Sequence, residues 1–384
     1  MKKQSLGILT TVSFSIKMFY PGQLEALNRA GLRTSVICAD DPDLPPLLPP
    51  QTRFIPVDFS RLWSPLQDLK TLWQLYKVFR REKFALVQYS TPKASLLGAL
   101  AAWAARIPFR IYILWGLYYT GQSGMIRSLL KSFEKIICTL STHIVPIAHQ
   151  MVDFVNTERL APPEKCTVML HGSACGVDLQ KFQPLTWIQE GKEIRRNFNI
   201  PDDAVVVGTV ARLTNAKGVN ELVAAFAKLA ADIENVYLLI VGKQEEKDRL
   251  LPDTECQLRR HPRIKAAGHQ QNPLPYYAAM DIFCLPTYRE GFGEVNLEAQ
   301  AMLLPVVSTD TIGPRESVDH GTTGFLVKPQ SSEDLIEPLK SLILNPHLRR
   351  EMGRKGRKRV ESLFDRQDMI KAVVQHRLRL LRMR

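Results

Sequence analysis

Cysteine is scarce in this sequence and has no pattern. The six residues, Cys38, Cys138, Cys166, Cys175, Cys256 and Cys284, show no C-x-x-C spacing and no pairing with histidine, which argues against a disulfide framework or a zinc site. Such isolated thiols suit a reducing cytoplasm. Long apolar runs are lacking too: "ASLLGALAAWAARI" is too short to span a bilayer, and basic residues flank it closely. The opening "MKKQSLGILTTVSFSIKMFY" sets two lysines before a mildly apolar run, but Thr10, Thr11, Ser13, Ser15 and Lys17 dilute it. No small-residue cleavage pattern follows, so a first buried strand is expected there rather than a secretory signal. Solenoid repeats and low-complexity tracts are absent. So are the arginine-interleaved stacking aromatics of an RNA-binding motif, which argues against a nucleic-acid partner.

What is present is length, aliphatic content and an uneven charge. With 384 residues the chain exceeds most single cores, so two domains are expected. The net charge of +13 divides into roughly +9 over the first ~185 residues, roughly −5 to about residue 346, and roughly +9 in the tail. A basic first half and tail suit an anionic membrane surface or an acidic substrate.

Short apolar runs alternate with helical patterns from end to end, as in parallel sheets covered by helices on both faces. The first half offers "LGILTTVSF", "TSVICA", "RFIPVDF", "ALVQYS", "RIYILWG", "HIVPIA" and "CTVML" as strands. The pattern loosens through "LTWIQEGKEIRRNFNIPDD" and restarts with "AVVVGTVA", "VYLLIVG", "IKAAG", "DIFCLP", "PVVST" and "GFLVKP". The boundary is therefore set near residue 184: a first Rossmann-like domain over 1–184, reading as the acceptor side, and a second over 185–384. Two basic helical segments beyond residue 346 have no strand left to pair with and are expected to pack outside the sheets, reaching back to the first domain. The architecture is α/β, two doubly wound parallel-sheet domains whose strand ends face a central cleft, the default ligand site in such sheets.

Two constellations carry chemistry. In "REGFGEVNLEAQAMLLPVV" the carboxylates Glu290, Glu294 and Glu298 stand four apart, which on one helix would stack like charges. The strand "DIFCLPT" ends before them, so Glu290 belongs to a loop, Gly291 and Gly293 let that loop turn tightly, and a helix begins near Glu294. Amides around Gly293, Glu294 and Val295 form an anion site at the positive end of that helix. A ligand with an anionic middle and hydroxyls at both ends, such as a sugar nucleotide, satisfies each part. In "GTVARLTNAKGVNEL", Arg212 and Lys217 follow a strand end and suit a diphosphate. At ~4 Å and an effective dielectric of ~20 each cation attracts one phosphate charge by about 4 kcal/mol before desolvation.

Together with "LLIVGK", "PYYAAMDIFCLPTYREGFGEVNLEAQAMLLPVVSTD", "ESVDHGTTGFLVKP" and "SEDLIEPLKSL", these motifs resemble the retaining GT-B glycosyltransferases called family 4, over essentially the whole second domain. The first domain matches only through "STPKASLLGALAA" and "GVDLQKF". The resemblance implies metal-independent transfer of a sugar, with retention of anomeric configuration, from a nucleotide-sugar donor to a saccharide or lipid-linked acceptor. It gives Glu290 the donor sugar's hydroxyls, Glu298 the ribose hydroxyls, and Arg212, Lys217 and the amides after Gly291, Phe292 and Gly293 the diphosphate. Gly268 and His269 border the nucleobase. Two positions depart from the family: Trp115 stands where a histidine is common, and Cys175 where an asparagine is.

Other readings weigh less. The "DDPD" run, Asp40 to Asp43, imitates a manganese-binding pair but contains Pro42 and reads as a surface loop. Glu290 and Glu298 as a glycosidase pair would leave Arg212 and Lys217 without a purpose. A hydrolysing sugar-nucleotide epimerase and a non-catalytic sugar-nucleotide sensor share the architecture but leave the basic first domain unexplained. His143, His149 and His171 read as structural, while Lys93 is open between an acceptor phosphate and plain surface. The tail "VVQHRLRLLRMR", with Leu378, Leu380 and Leu381, and the stretch holding Trp63, Leu66, Leu69, Trp73 and Leu75 among Lys70, Lys77, Arg80 and Arg81 suggest peripheral contact with the cytoplasmic face of an anionic membrane.

Overall fold

The computed structural model describes residues 4–60, 64–246 and 248–382. The chain forms two compact units, Met1–Cys175 with Gln367–Arg384, and Gly176–Arg366. The division thus precedes residue 184, and the last helical segment groups with the first unit. Trp63 lies outside the described residues.

The first unit contains six parallel strands: β1 (Ser5–Leu9), β2 (Arg33–Cys38), β3 (Arg53–Pro56), β4 (Leu86–Tyr89), β5 (Phe109–Leu114) and β6 (His143–Pro146), in the order β3-β2-β1-β4-β5-β6. β1 and β4 are buried throughout, as expected of strands covered on both faces. The order reverses between β1 and β4, the switch point at which doubly wound sheets open a crevice. Two expected strands differ. β1 stops at Leu9, because a new helix, Ser13–Phe19, takes over the rest of "LGILTTVSF". "CTVML" makes only an isolated bridge from Cys166 to Ile144; Leu170 adopts a left-handed φ of 49°, which turns the run away before a ladder can form.

The helix Arg366–Arg382 supplies Met369, Val373, Leu380 and Leu381 to the first unit's core. The tail leucines therefore face protein. On the helix Pro65–Glu82, Leu75 is likewise buried, whereas Leu66, Leu69 and Trp73 are exposed. Lys93 is not a surface lysine: it is buried in an ion pair of 2.7 Å with Asp68 and also donates to Ser60. No described helix is long and apolar enough to cross a membrane.

The second unit repeats the scheme with β7 (Val205–Val210), β8 (Val236–Val241), β9 (Ile264–Gly268), β10 (Ile282–Leu285), β11 (Val306–Thr309) and β12 (Gly324–Val327), all parallel, in the order β12-β11-β10-β7-β8-β9. All six runs expected here are strands. The loosened stretch before them contains a helix, Ile188–Asn197. The basic helix Pro346–Leu363 begins with an Asn345 cap that accepts from the Leu348 amide at 3.0 Å, with Pro346 at its first position. It lies close against the turn after Glu294–Ala301: a Cβ on Gly353 would meet the Leu303 carbonyl oxygen at 2.0 Å.

Candidate active site in the second unit

The switch point of the second sheet lies between β7 and β10, which pair through Ile282 with Val207 and Phe283 with Gly208. Two loops leave the carboxyl ends of these strands, and backbone contacts lock them together. After β7 the chain makes a single 3-10 turn, Asn215–Lys217, and Gly218 then takes φ +71° to start the helix Val219–Asp232. A Cβ on Gly218 would stand 1.9 Å from the Pro286 carbonyl oxygen, so only glycine allows this approach. The Tyr288 amide donates to the Ala216 carbonyl at 2.9 Å, and the Thr287 hydroxyl donates to the same oxygen at 3.2 Å. The Tyr288 hydroxyl reaches Glu221 at 2.7 Å.

The result is direct contact: the Lys217 ammonium donates to Glu290 Oε2, while Glu290 Oε1 accepts from the Gly291 amide at 3.3 Å. Both side chains are largely but not wholly covered, at 18% and 23% exposure, so a ligand can reach them. The pair concentrates a cation and a carboxylate at one switch point. Gly293, at φ +90°, then opens the helix Glu294–Ala301. Phe292 is buried, with its ring packed on Phe364 at 5.6 Å, so only its backbone is available to a ligand. Glu294 and Val295 are half-buried in the first turn. The Gly291 amide itself, which precedes the amides expected to meet a diphosphate, is occupied here by Glu290.

Glu298, one turn on, accepts a 2.8 Å hydrogen bond at Oε2 from the Tyr277 hydroxyl, while Oε1 takes no hydrogen bond from the described residues. Burial pushes this carboxyl up, and the Tyr277 bond and nearby Arg366 pull it back. One oxygen is thus anchored and the other left to accept from a hydroxyl. Sequence reasoning missed Tyr277, although "PYYAAMD" marks a short helix, Leu274–Ala278, ahead of β10. It also missed Arg366, which lies far along the chain.

Arg212 is placed differently from Lys217. Its guanidinium is 64% exposed and pairs with Glu245 at 2.9 Å. Gly268 and His269 are exposed at the end of β9, two strand spacings from β7, about 10 Å across the sheet. The Gly242 amide donates to the Gly268 carbonyl at 2.8 Å, and a Cβ on Gly242 would meet the Ala211 oxygen at 1.7 Å, so the ends of β7, β8 and β9 are closely tied.

In the first unit, Trp115 packs on Phe19 with ring centroids 4.6 Å apart, and the Cys175 amide donates to Ser173 at 3.3 Å. Asp41 of "DDPD" pairs with Lys17 at 2.8 Å, a bond that holds its carboxyl down at about 2. Among the described residues no group of three or more His, Cys, Asp or Glu gathers to hold a metal.

Comparison with known proteins gives the family and the fold. Residues 190–359 match the family model described as glycosyl transferases group 1, and residues 21–172 match a glycosyl transferase 4-like domain. The chain belongs to this glycosyltransferase family and is an enzyme of the GT-B fold. It is 33% identical over 367 residues to the capsular polysaccharide biosynthesis glycosyltransferase CapM of Staphylococcus aureus, covering 96% of this chain and 95% of that one. It is 26% identical over 356 residues to the N,N'-diacetylbacillosaminyl-diphospho-undecaprenol alpha-1,3-N-acetylgalactosaminyltransferase of Campylobacter jejuni, covering 91% and 92% of the two chains. In structure it is similar to a sucrose-phosphate synthase from Thermosynechococcus elongatus, at a TM-score of 0.82 and 21% identity over 99% of this chain and 100% of that one.

Proposed function

We propose that the protein transfers a sugar, with retention of configuration and without a metal, from a nucleotide sugar to a hydroxyl of a lipid-linked saccharide in surface-polysaccharide synthesis. The observation that carries this reading is the Lys217–Glu290 contact at the switch point of the second sheet, beside a helix N-terminus. In the proposed complex the donor diphosphate draws the Lys217 ammonium and the helix N-terminus, Glu290 turns to the donor sugar's hydroxyls, and Glu298 Oε1 accepts from the ribose. Arg212, released from Glu245, adds the second cation. Gly268 and His269 border the base. Charge that grows on the departing diphosphate is met by donors already in position, each worth about 10²- to 10³-fold in rate.

The acceptor class rests on the relatives' names, one of which carries diphospho-undecaprenol and another capsular polysaccharide. Action at the cytoplasmic membrane face draws support from the exposed Leu66, Leu69 and Trp73 on a helix that also carries Lys70, Lys77, Arg80 and Arg81. A thermal-shift screen of UDP, GDP, ADP and their sugars tests the donor class, since a bound ligand raises apparent stability by mass action. One nucleotide and its sugar are expected to stabilise the protein; no shift with any of them at millimolar concentration would refute the reading.

A further inference from the structure

The first unit contains a small cavity of about 30 Å³, open on one side. It lies past the carboxyl ends of β5 and β6, where Trp115 and Ile147 follow the strands, and the last helix closes it with Val373 and Arg377. Open parallel sheets bind ligands at this end.

Arg377 is 1% exposed, yet among the described residues no carboxylate pairs with it. Its Nε donates to Gln88 Oε1 at 3.0 Å, and Gln88 in turn donates to the Tyr20 hydroxyl at 3.2 Å. Its Nη1 donates to His376 Nδ1 at 2.6 Å. His376 is pushed down to about 3, chiefly by burial and next by Arg377 itself, so it is neutral and free to accept. Every partner of the guanidinium among the described residues is therefore neutral, and Nη2 takes none of them. An isolated buried charge is strongly unfavourable unless a counter-charge arrives. A residue needed only to fill this part of the core would be served as well by an apolar side chain of similar volume.

We propose that this cavity binds a phosphoryl group of the acceptor, with Arg377 as its counter-charge and the Phe19–Trp115 pair as the apolar wall beside it. The inference rests on the reading of the acceptor as a phosphate-linked saccharide. The donor's own diphosphate is assigned to residues of the second unit, none of which lines this cavity. Arginine matches a phosphate with two parallel donors, of which Nη2 is unoccupied here.

The test uses the full chain carrying Lys217→Ala, which removes the cation of the donor site. Inorganic pyrophosphate is titrated calorimetrically with Arg377 intact and with Arg377→Met added. Binding that weakens roughly tenfold or more in Arg377→Met, the range of a charge-assisted hydrogen bond, supports the site; equal affinity, or no binding with Arg377 intact, overturns it. Crystals of the wild-type chain soaked in tungstate give a readout that does not depend on a variant folding. Anomalous density within hydrogen-bond reach of Arg377 Nη2 supports the site, and density confined to other positions overturns it. A short-chain prenyl diphosphate is the second arm: tighter Arg377-dependent binding than pyrophosphate identifies a lipid-borne phosphate, and equal binding a soluble one. Sugar transfer that persists without Arg377-dependent phosphate binding leaves the proposed function standing and removes this inference. Arg377-dependent phosphate binding in a protein that takes no nucleotide sugar does the reverse, keeping the anion site and removing the donor reading.

Discussion

Single residues in this protein carry charge in places where burial changes its behaviour. Glu134, in the first unit, is buried beside Tyr112, and desolvation raises its carboxyl from an ordinary value to about 7. The folded state therefore holds the proton more tightly than the unfolded chain. Stability from this group is fully present below the unfolded pKa near 4.5 and is lost as pH rises toward 7. Glu134→Gln is expected to exceed the wild type in stability at pH 8 by about 1–3 kcal/mol, with the gap closing near pH 5. Urea denaturation at the two pH values measures this; a gap independent of pH would contradict the assignment. The residue scale is also where the sequence was least legible. Glu290 and Lys217 could be named from their motifs, but not their mutual contact. Arg212, five positions before Lys217, looks equivalent on paper, yet it extends to Glu245 and stays exposed. Tyr277 and Arg377 act through partners 21 and 289 positions away, and a local pattern does not carry such pairings.

At the scale of elements, the functional geometry depends on two loops held together by their backbones. Gly218→Ala would drive a Cβ into the Pro286 carbonyl and strain a left-handed residue. The expected outcome is a loss of stability of at least ~1 kcal/mol together with weaker nucleotide binding, because Lys217 moves away from Glu290. A variant of unchanged melting temperature and affinity would show that the loops are not coupled in this way. The buried strands of the second unit could be read because runs such as "VYLLIVG" are apolar throughout and bounded by turns. "CTVML" has the same composition and is not a strand, since its fate is decided by a left-handed Leu170 that composition does not encode. The end of "LGILTTVSF" failed in the other direction, since Ser13 and Phe14 open a helix.

At the scale of the whole molecule, the basic tail shows how charge and burial part company. Its arginines and leucines read as a membrane-facing amphipath, but Leu380 and Leu381 belong to the first unit's core and Arg377 is buried with them. Leu380→Ala is expected to lower stability by about 2–5 kcal/mol while leaving any binding to anionic vesicles unchanged. Loss of vesicle binding with undiminished stability would restore the surface role. Part of the net charge of +13 is thus buried with the tail, whereas Lys70, Lys77, Arg80 and Arg81 on the helix Pro65–Glu82 are exposed.

In the proposed complex a nucleoside diphosphate settles at the junction of Lys217, Glu290 and the start of the helix Glu294–Ala301. The direct measurement is a calorimetric titration of the nucleoside diphosphate chosen by the thermal-shift screen into wild-type protein and Lys217→Ala, with circular dichroism to establish that both are folded. The account predicts affinity about 10- to 100-fold weaker in the variant. Equal affinity in two folded proteins would contradict it.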